Sequence, residues 1–74
     1  MDIKQAINLV EDEYIDNAVH AFDEFKTYHE GYAVLKEEVD ELWDEIKGDQ
    51  RQDALIKEAK QVGAMALRFL IDLC

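Results

Sequence analysis

Eight Lys and Arg against eighteen Asp and Glu give this 74-residue chain a net charge of −10. That balance excludes electrostatic binding to nucleic acid or anionic lipid and favours a divalent cation or a basic protein surface as partner. The length allows one domain, residues 1–74, which buries only roughly 60% of its unfolded surface. The lone cysteine, Cys74, excludes an internal disulfide. With no signal peptide and no apolar run near the ~20 residues of a membrane span, a soluble, cytoplasmic protein is expected.

Proline is absent, and the pattern is all-α, three helices joined by short turns. The first helix is predicted over 3–25. Asp2 and Gln5 form a capping box at its start, and Ile3, Ile7, Val10, Tyr14, Ala18, Phe22 and Phe25 line one seam.

The second helix is predicted over 28–47, opened by Thr27 with Glu30 and closed by Gly48 as the left-handed residue. Its seam is Tyr32, Leu35, Val39, Leu42 and Ile46, spaced +3, +4, +3, +4. Trp43 lies off that seam and suits either an interface between chains or the edge of the core.

The third helix is predicted over 50–73, opened by Asp49 with Gln52. Its seam is Leu55, Ala59, Val62, Ala66, Phe69 and Leu73. From Val62 onward it is apolar nearly all round, more than three helices can cover. Self-association of the three-helix chain into a dimer or tetramer follows as an expectation.

Carboxylates gather one position behind the second seam, at Glu38, Glu41 and Glu45. Like charges three and four residues apart cost a helix a few tenths of a kcal/mol per pair, so the row asks for a cation. Mg²⁺ suits it, being a hard ion that takes oxygen ligands. The third helix has the same kind of row, Ala54, Glu58, Gln61, Met65, Arg68 and Asp72. Antiparallel packing across the short turn sets Glu58 at the height of Glu38 and Glu41.

The segment Glu37-Glu38-Val39-Asp40-Glu41, followed by a helix bearing Glu58, resembles the EExxE…ExxD pattern of the MazG-like, all-α nucleoside triphosphate pyrophosphohydrolases. The wording His29-Glu30-Gly31-Tyr32 and Gln61-Val62-Gly63-Ala64-Met65-Ala66-Leu67-Arg68-Phe69-Leu70 is similar to small phage-type members of that family. The likeness covers roughly residues 29 to 72, while the first helix matches in pattern only.

The resemblance implies a MazG-like helical bundle and Mg²⁺-dependent hydrolysis of a nucleoside triphosphate to monophosphate and pyrophosphate, with Mn²⁺ as substitute, or a degenerate relative that keeps the fold. It places metal ligands at Glu38, Glu41 and Glu58, with Gln61 where the family has Asp. A neutral amide there brings an oxygen but no charge, which weakens metal binding. Glu37 or Glu38 is implied as the catalytic acid that orients water. Lys60 and Arg68 are the cations offered to substrate, Arg68 having also a natural partner in Asp72 at i+4.

Two other readings stay open beside it. The acids could form a solvated face balanced by Lys36 and Lys47. The whole chain could be a non-catalytic acidic helical protein that mimics DNA or inhibits a basic partner. His20 and His29 stand apart from any second zinc-type ligand. Tyr14, Tyr28 and Tyr32 suit packing better than base stacking.

Overall fold

A computed structural model describes all 74 residues, and every regular element in it is helical. Helix α1, Ile3–Glu13, starts at the expected capping box: Gln5 N donates to Asp2 Oδ1 at 2.8 Å and Asp2 N donates to Gln5 Oε1 at 2.9 Å. A π-helical segment, Tyr14–Ala18, follows without a break, and a single α-turn, α2, Val19–Ala21, completes the rod. The predicted helix over 3–25 therefore ends four residues early, at Ala21. Phe22 is extended, with φ −145° and ψ 162°.

The reason lies in Arg68, which is 2% exposed. Its Nη1 donates to Ala18 O at 2.8 Å, and its Nη2 donates to Phe22 O and Asp23 O. Those carbonyls meet a buried guanidinium instead of continuing a helical ladder, and the chain turns so that Phe25 reaches the interior at 3% exposure.

Helices α3, Tyr28–Lys47, and α4, Gln52–Leu73, form an antiparallel pair. Thr27 Oγ1 accepts from Glu30 N at 3.0 Å, as the capping pattern predicts, while Glu30 Oε1 reaches back one residue further than a capping box, to Lys26 N at 3.1 Å. Glycine sets the closest approaches. A Cβ on Gly31 would stand 2.7 Å from Phe69 Cδ2 and 2.8 Å from Leu73 Cδ1, and one on Gly63 would stand 2.9 Å from Val10 Cγ2.

The turn between α3 and α4 departs from expectation in two ways. Gly48 has φ −89°, and the left-handed residue is Gln50, φ 55°, whose Nε2 donates to Ile46 O at 2.8 Å and so satisfies a terminal carbonyl of α3. The Asp49–Gln52 box does not form. Arg51 is the N-cap, without a side-chain bond, and α4 starts at Gln52 rather than 50.

The largest departure concerns which face turns inward. Only 7 of 74 residues are buried, and the cluster at the centre is Ala18, Phe25, Ala64 and Met65, with Glu13 and Arg68 buried beside it. The predicted seams hold in part: Ala18 and Phe25 are in the core, and Tyr14, Leu35 and Leu73 pack against it. Of the seam residues, Ile3, Ile7, Phe22, Tyr32, Val39 and Ile46 are exposed. The rows one position behind, Glu13, Glu38, Glu58, Gln61, Met65 and Arg68, sit at or near the helix contacts instead. A single chain thus holds polar groups between its helices and turns large apolar side chains, Trp43, Leu70 and Ile71 among them, outward. No helix is long and apolar enough to cross a membrane.

Candidate functional site

Antiparallel pairing carries Glu38 and Glu41 of α3 to the same level as Glu58 of α4. One carboxylate oxygen from each of the three lies within 4.8 Å of the others. Glu38 and Glu58 are half-buried and Glu41 is exposed, so the group opens to solvent on one side.

Crowding without compensation shows in the protonation of the site. The Glu38 carboxyl is pushed from 4.5 up to about 7, by burial first, then by the charge of Glu41 and a hydrogen bond with it, and by Glu58 and Glu37. Glu58 is raised as well, by burial and then by Glu41, with Lys57 pulling the other way and Glu45 adding to the rise. One oxygen of Glu41 stands within 4.8 Å of an oxygen of each neighbour, close enough for its charge to act on both.

Gln61 completes the arrangement. With its amide nitrogen turned to the acids, it donates to Glu58 Oε2 at 3.0 Å and to Glu38 Oε2 at 3.2 Å. The reverse orientation sets oxygen against oxygen, which a cation among them would favour. Gln61 thus stands at the acid group, as the sequence pattern places it, and bridges one acid of each helix.

The lysines expected to balance an acidic face are engaged elsewhere. Lys36 Nζ pairs with Asp40 at 3.0 Å, and Lys47 Nζ pairs with Asp44 at 3.5 Å while lying 5.6 Å from the Trp43 ring centroid. None of the ion pairs in the chain includes Glu38, Glu41 or Glu58. Glu37 is exposed and outside the triad, close enough for its charge to act on Glu38.

The two cations assigned to substrate lie elsewhere. Lys60 faces α1, with Nζ 4.0 Å from Glu13 Oε2. Arg68 pairs with Asp72, Nε to Oδ2 at 3.1 Å, and gives its remaining bonds to backbone carbonyls. A guanidinium so buried and so committed fastens the fold, and the pairing with Asp72 at i+4 that the sequence offers is the one that forms.

Sequence reasoning passed over Glu13 and Asn17. Glu13 is 7% exposed and accepts from Asn17 Nδ2 at 2.8 Å. The signal was present, because Glu13 precedes Tyr14 on its helix as Glu38 precedes Val39.

No protein-family model matches the chain, and neither a curated protein nor a solved structure matches it.

Proposed function

We propose that this chain is a MazG-like, Mg²⁺-dependent pyrophosphohydrolase of nucleoside triphosphates, working in the cytoplasm as a self-associated helical bundle. The observation that carries the reading is the convergence of Glu38, Glu41 and Glu58 from two helices, with no lysine or arginine paired to them.

The donor set fits a hard divalent ion. Glu38, Glu41 and Glu58 would hold it through one oxygen each, gathered within 4.8 Å of one another. The Gln61 amide, free to present its oxygen, adds a fourth. Bound there, Mg²⁺ would neutralise triphosphate charge and polarise the phosphoryl oxygens. Glu38, crowded enough to hold or release a proton near neutral pH, or the exposed Glu37 beside it, accepts a proton from water. The water oxygen bonds to the α-phosphorus, the bond from that phosphorus to the bridging oxygen breaks, and pyrophosphate leaves with the electron pair.

The exposed apolar residues support self-association. Tyr28, Tyr32, Val39, Trp43, Leu70 and Ile71 are exposed, and a second copy would cover apolar area that the single chain leaves in water. A second reading, an acidic protein that occupies a basic partner, draws on the charge of −10. The convergence favours the hydrolase, because acids gathered within 4.8 Å suit a single cation better than an extended basic surface.

Purified chain incubated with nucleoside triphosphates and Mg²⁺ or Mn²⁺ is expected to release pyrophosphate, and Glu38→Gln to abolish the release. Release from no common triphosphate, or unchanged turnover in Glu38→Gln, refutes the proposal.

A further inference from the structure

Gln61 is the uncharged member of the acid group, and it touches one acid of each helix. Its Nε2 donates to Glu58 Oε2 at 3.0 Å and to Glu38 Oε2 at 3.2 Å. A primary amide nitrogen has two hydrogens, so one is available to each carboxylate. No lysine or arginine pairs with either acid. The amide therefore stands between them where a cation would stand, offering donors in place of charge.

A carboxamide can also reverse that role. A carboxylate only accepts and an ammonium only donates, whereas Gln carries donors on one arm of a planar group and an acceptor on the other. A half-turn about its last torsion exchanges the two arms, and that torsion is broad rather than held in one narrow well. Gln61 is half-buried but has room to turn, because it lines a cavity of about 120 Å³ together with Glu38, Ala64 and Met65. Glu13 and Asn17 border the same cavity and are bonded to each other, Asn17 Nδ2 to Glu13 Oε2 at 2.8 Å.

The two orientations exclude each other. With Nε2 toward the acids, two ligand oxygens are occupied by hydrogen bonds. With Oε1 toward them, the amide adds a neutral oxygen that suits a hard cation, and its hydrogens leave the acids. Glu41 is exposed and has no bond to Gln61, so it is the acid that an ion arriving from solvent meets first.

We propose that Gln61 is a latch: its amide bridges Glu38 and Glu58 while no ion is bound, and turns to offer Oε1 when Mg²⁺ enters, an inference that rests on the metal site proposed above. The latch keeps one acid of α3 and one of α4 together without metal, and Mg²⁺ has to displace two hydrogen bonds to bind.

The full chain, labelled with ¹⁵N and ¹³C, is followed by side-chain NMR at pH 8, first in EDTA and then during titration with MgCl₂. In EDTA the Gln61 Nε2 hydrogens are expected to exchange with water at least tenfold more slowly than those of the exposed Gln52. Saturating Mg²⁺ is expected to remove that protection while the carboxyl carbons of Glu38, Glu41 and Glu58 shift. Gln61 hydrogens as labile as those of Gln52 in EDTA overturn the latch, whatever Mg²⁺ does. Protection that persists while the three carboxyl carbons shift overturns the latch and keeps the metal site. Carboxyl carbons that do not respond remove the metal site, and the turning of the amide with it. Gln61→Met, which has neither donor nor amide oxygen, is expected to melt below the parent in EDTA, and an equal or higher melting temperature overturns the latch. The NMR arms use the parent chain and stand even if that variant does not fold.

Discussion

Arg68 and Asp72 meet at 3.1 Å inside the bundle, and the same Asp72 oxygen accepts the backbone N–H of Phe25, also at 3.1 Å. One carboxylate oxygen thereby fastens the last turns of α4 to the connector between α2 and α3. The guanidinium carbon also lies 4.7 Å from the centre of the Phe25 ring, a cation–π contact that keeps the charge covered on its other face.

Arg68→Ala leaves the partly buried Asp72 without its cation and three carbonyls without their donor. The expected loss is about 3–5 kcal/mol, the range for breaking a buried pair from one side. Arg68→Lys recovers little, because a point charge cannot serve Asp72, Ala18, Phe22 and Asp23 at once. Urea unfolding followed by circular dichroism checks both, and a loss below about 1 kcal/mol contradicts the role given to Arg68.

Stability should fall with rising pH in the absence of divalent cations. An unfolded chain ionises Glu38 near 4.5, whereas the folded chain holds that proton until about pH 7. Between those values the folded state binds more protons, so stability is greatest below 4.5 and is lost as pH climbs through 7. The raised Glu58 carboxyl acts in the same direction. In EDTA, the melting temperature is expected to drop from pH 5 to pH 8, with a shallower drop in Glu38→Gln and greater stability than the parent at pH 8. Parallel curves for the two proteins contradict it.

Mg²⁺ should reverse that loss. Carboxylates must be deprotonated to ligate, so binding releases protons and tightens as pH rises through 7. Calorimetry in two buffers of different ionisation enthalpy is expected to show proton release at pH 6.5 and almost none at pH 8.5. Titration without measurable heat at both pH values counts against the metal site.

Gly31→Ala forces a methyl into the Phe69 and Leu73 side chains. Both lie where the start of α3 meets the end of α4, and Tyr28 also stacks on Phe69 at 6.1 Å between centroids. Overpacking of this kind costs about 1–3 kcal/mol. Thermal melts check it, and a neutral result means that Phe69 moves aside freely.

Charged substitutions on the outward apolar residues should abolish the proposed self-association. Tyr32→Lys with Leu70→Lys alters two exposed positions, 60% and 58% accessible, that no single-chain contact needs. Sedimentation velocity is expected to show a larger species for the parent chain and a monomer for the variant. A parent chain that sediments as a monomer at 100 µM contradicts self-association.

Helix content, the order of three rods and the level of the acids were legible because they follow from local chemistry. Asp2 and Thr27 cap where short polar side chains precede apolar periodicity, and Gly48 falls at the end of a helix. The acids at 38, 41 and 58 meet because equal numbers of residues on either side of a short turn rise equally. The inward face was legible only in part: Ala18, Phe25, Tyr14, Leu35 and Leu73 turn to the core as their periodicity predicts. Apolar periodicity finds the face that avoids water, and in Tyr32, Val39 and Ile46 that face is exposed in the single chain. Arg68 escaped for a related reason: its partners are backbone carbonyls some fifty residues away in sequence, and nothing in residue type announces them.

The π-helical turn at Tyr14–Ala18 gives the first rod one residue more than ordinary winding would hold over the same length. Removing the exposed Ile15 would let the segment close as an α-turn with its two flanks rotated little against each other, because the wider turn already absorbs about one extra residue. Val10 would stay against Gly63, while Glu13 and Asn17 would stand three residues apart instead of four. Loss of a single codon at that point would therefore spare the course of the rod and erase only the local widening where Glu13 meets Asn17.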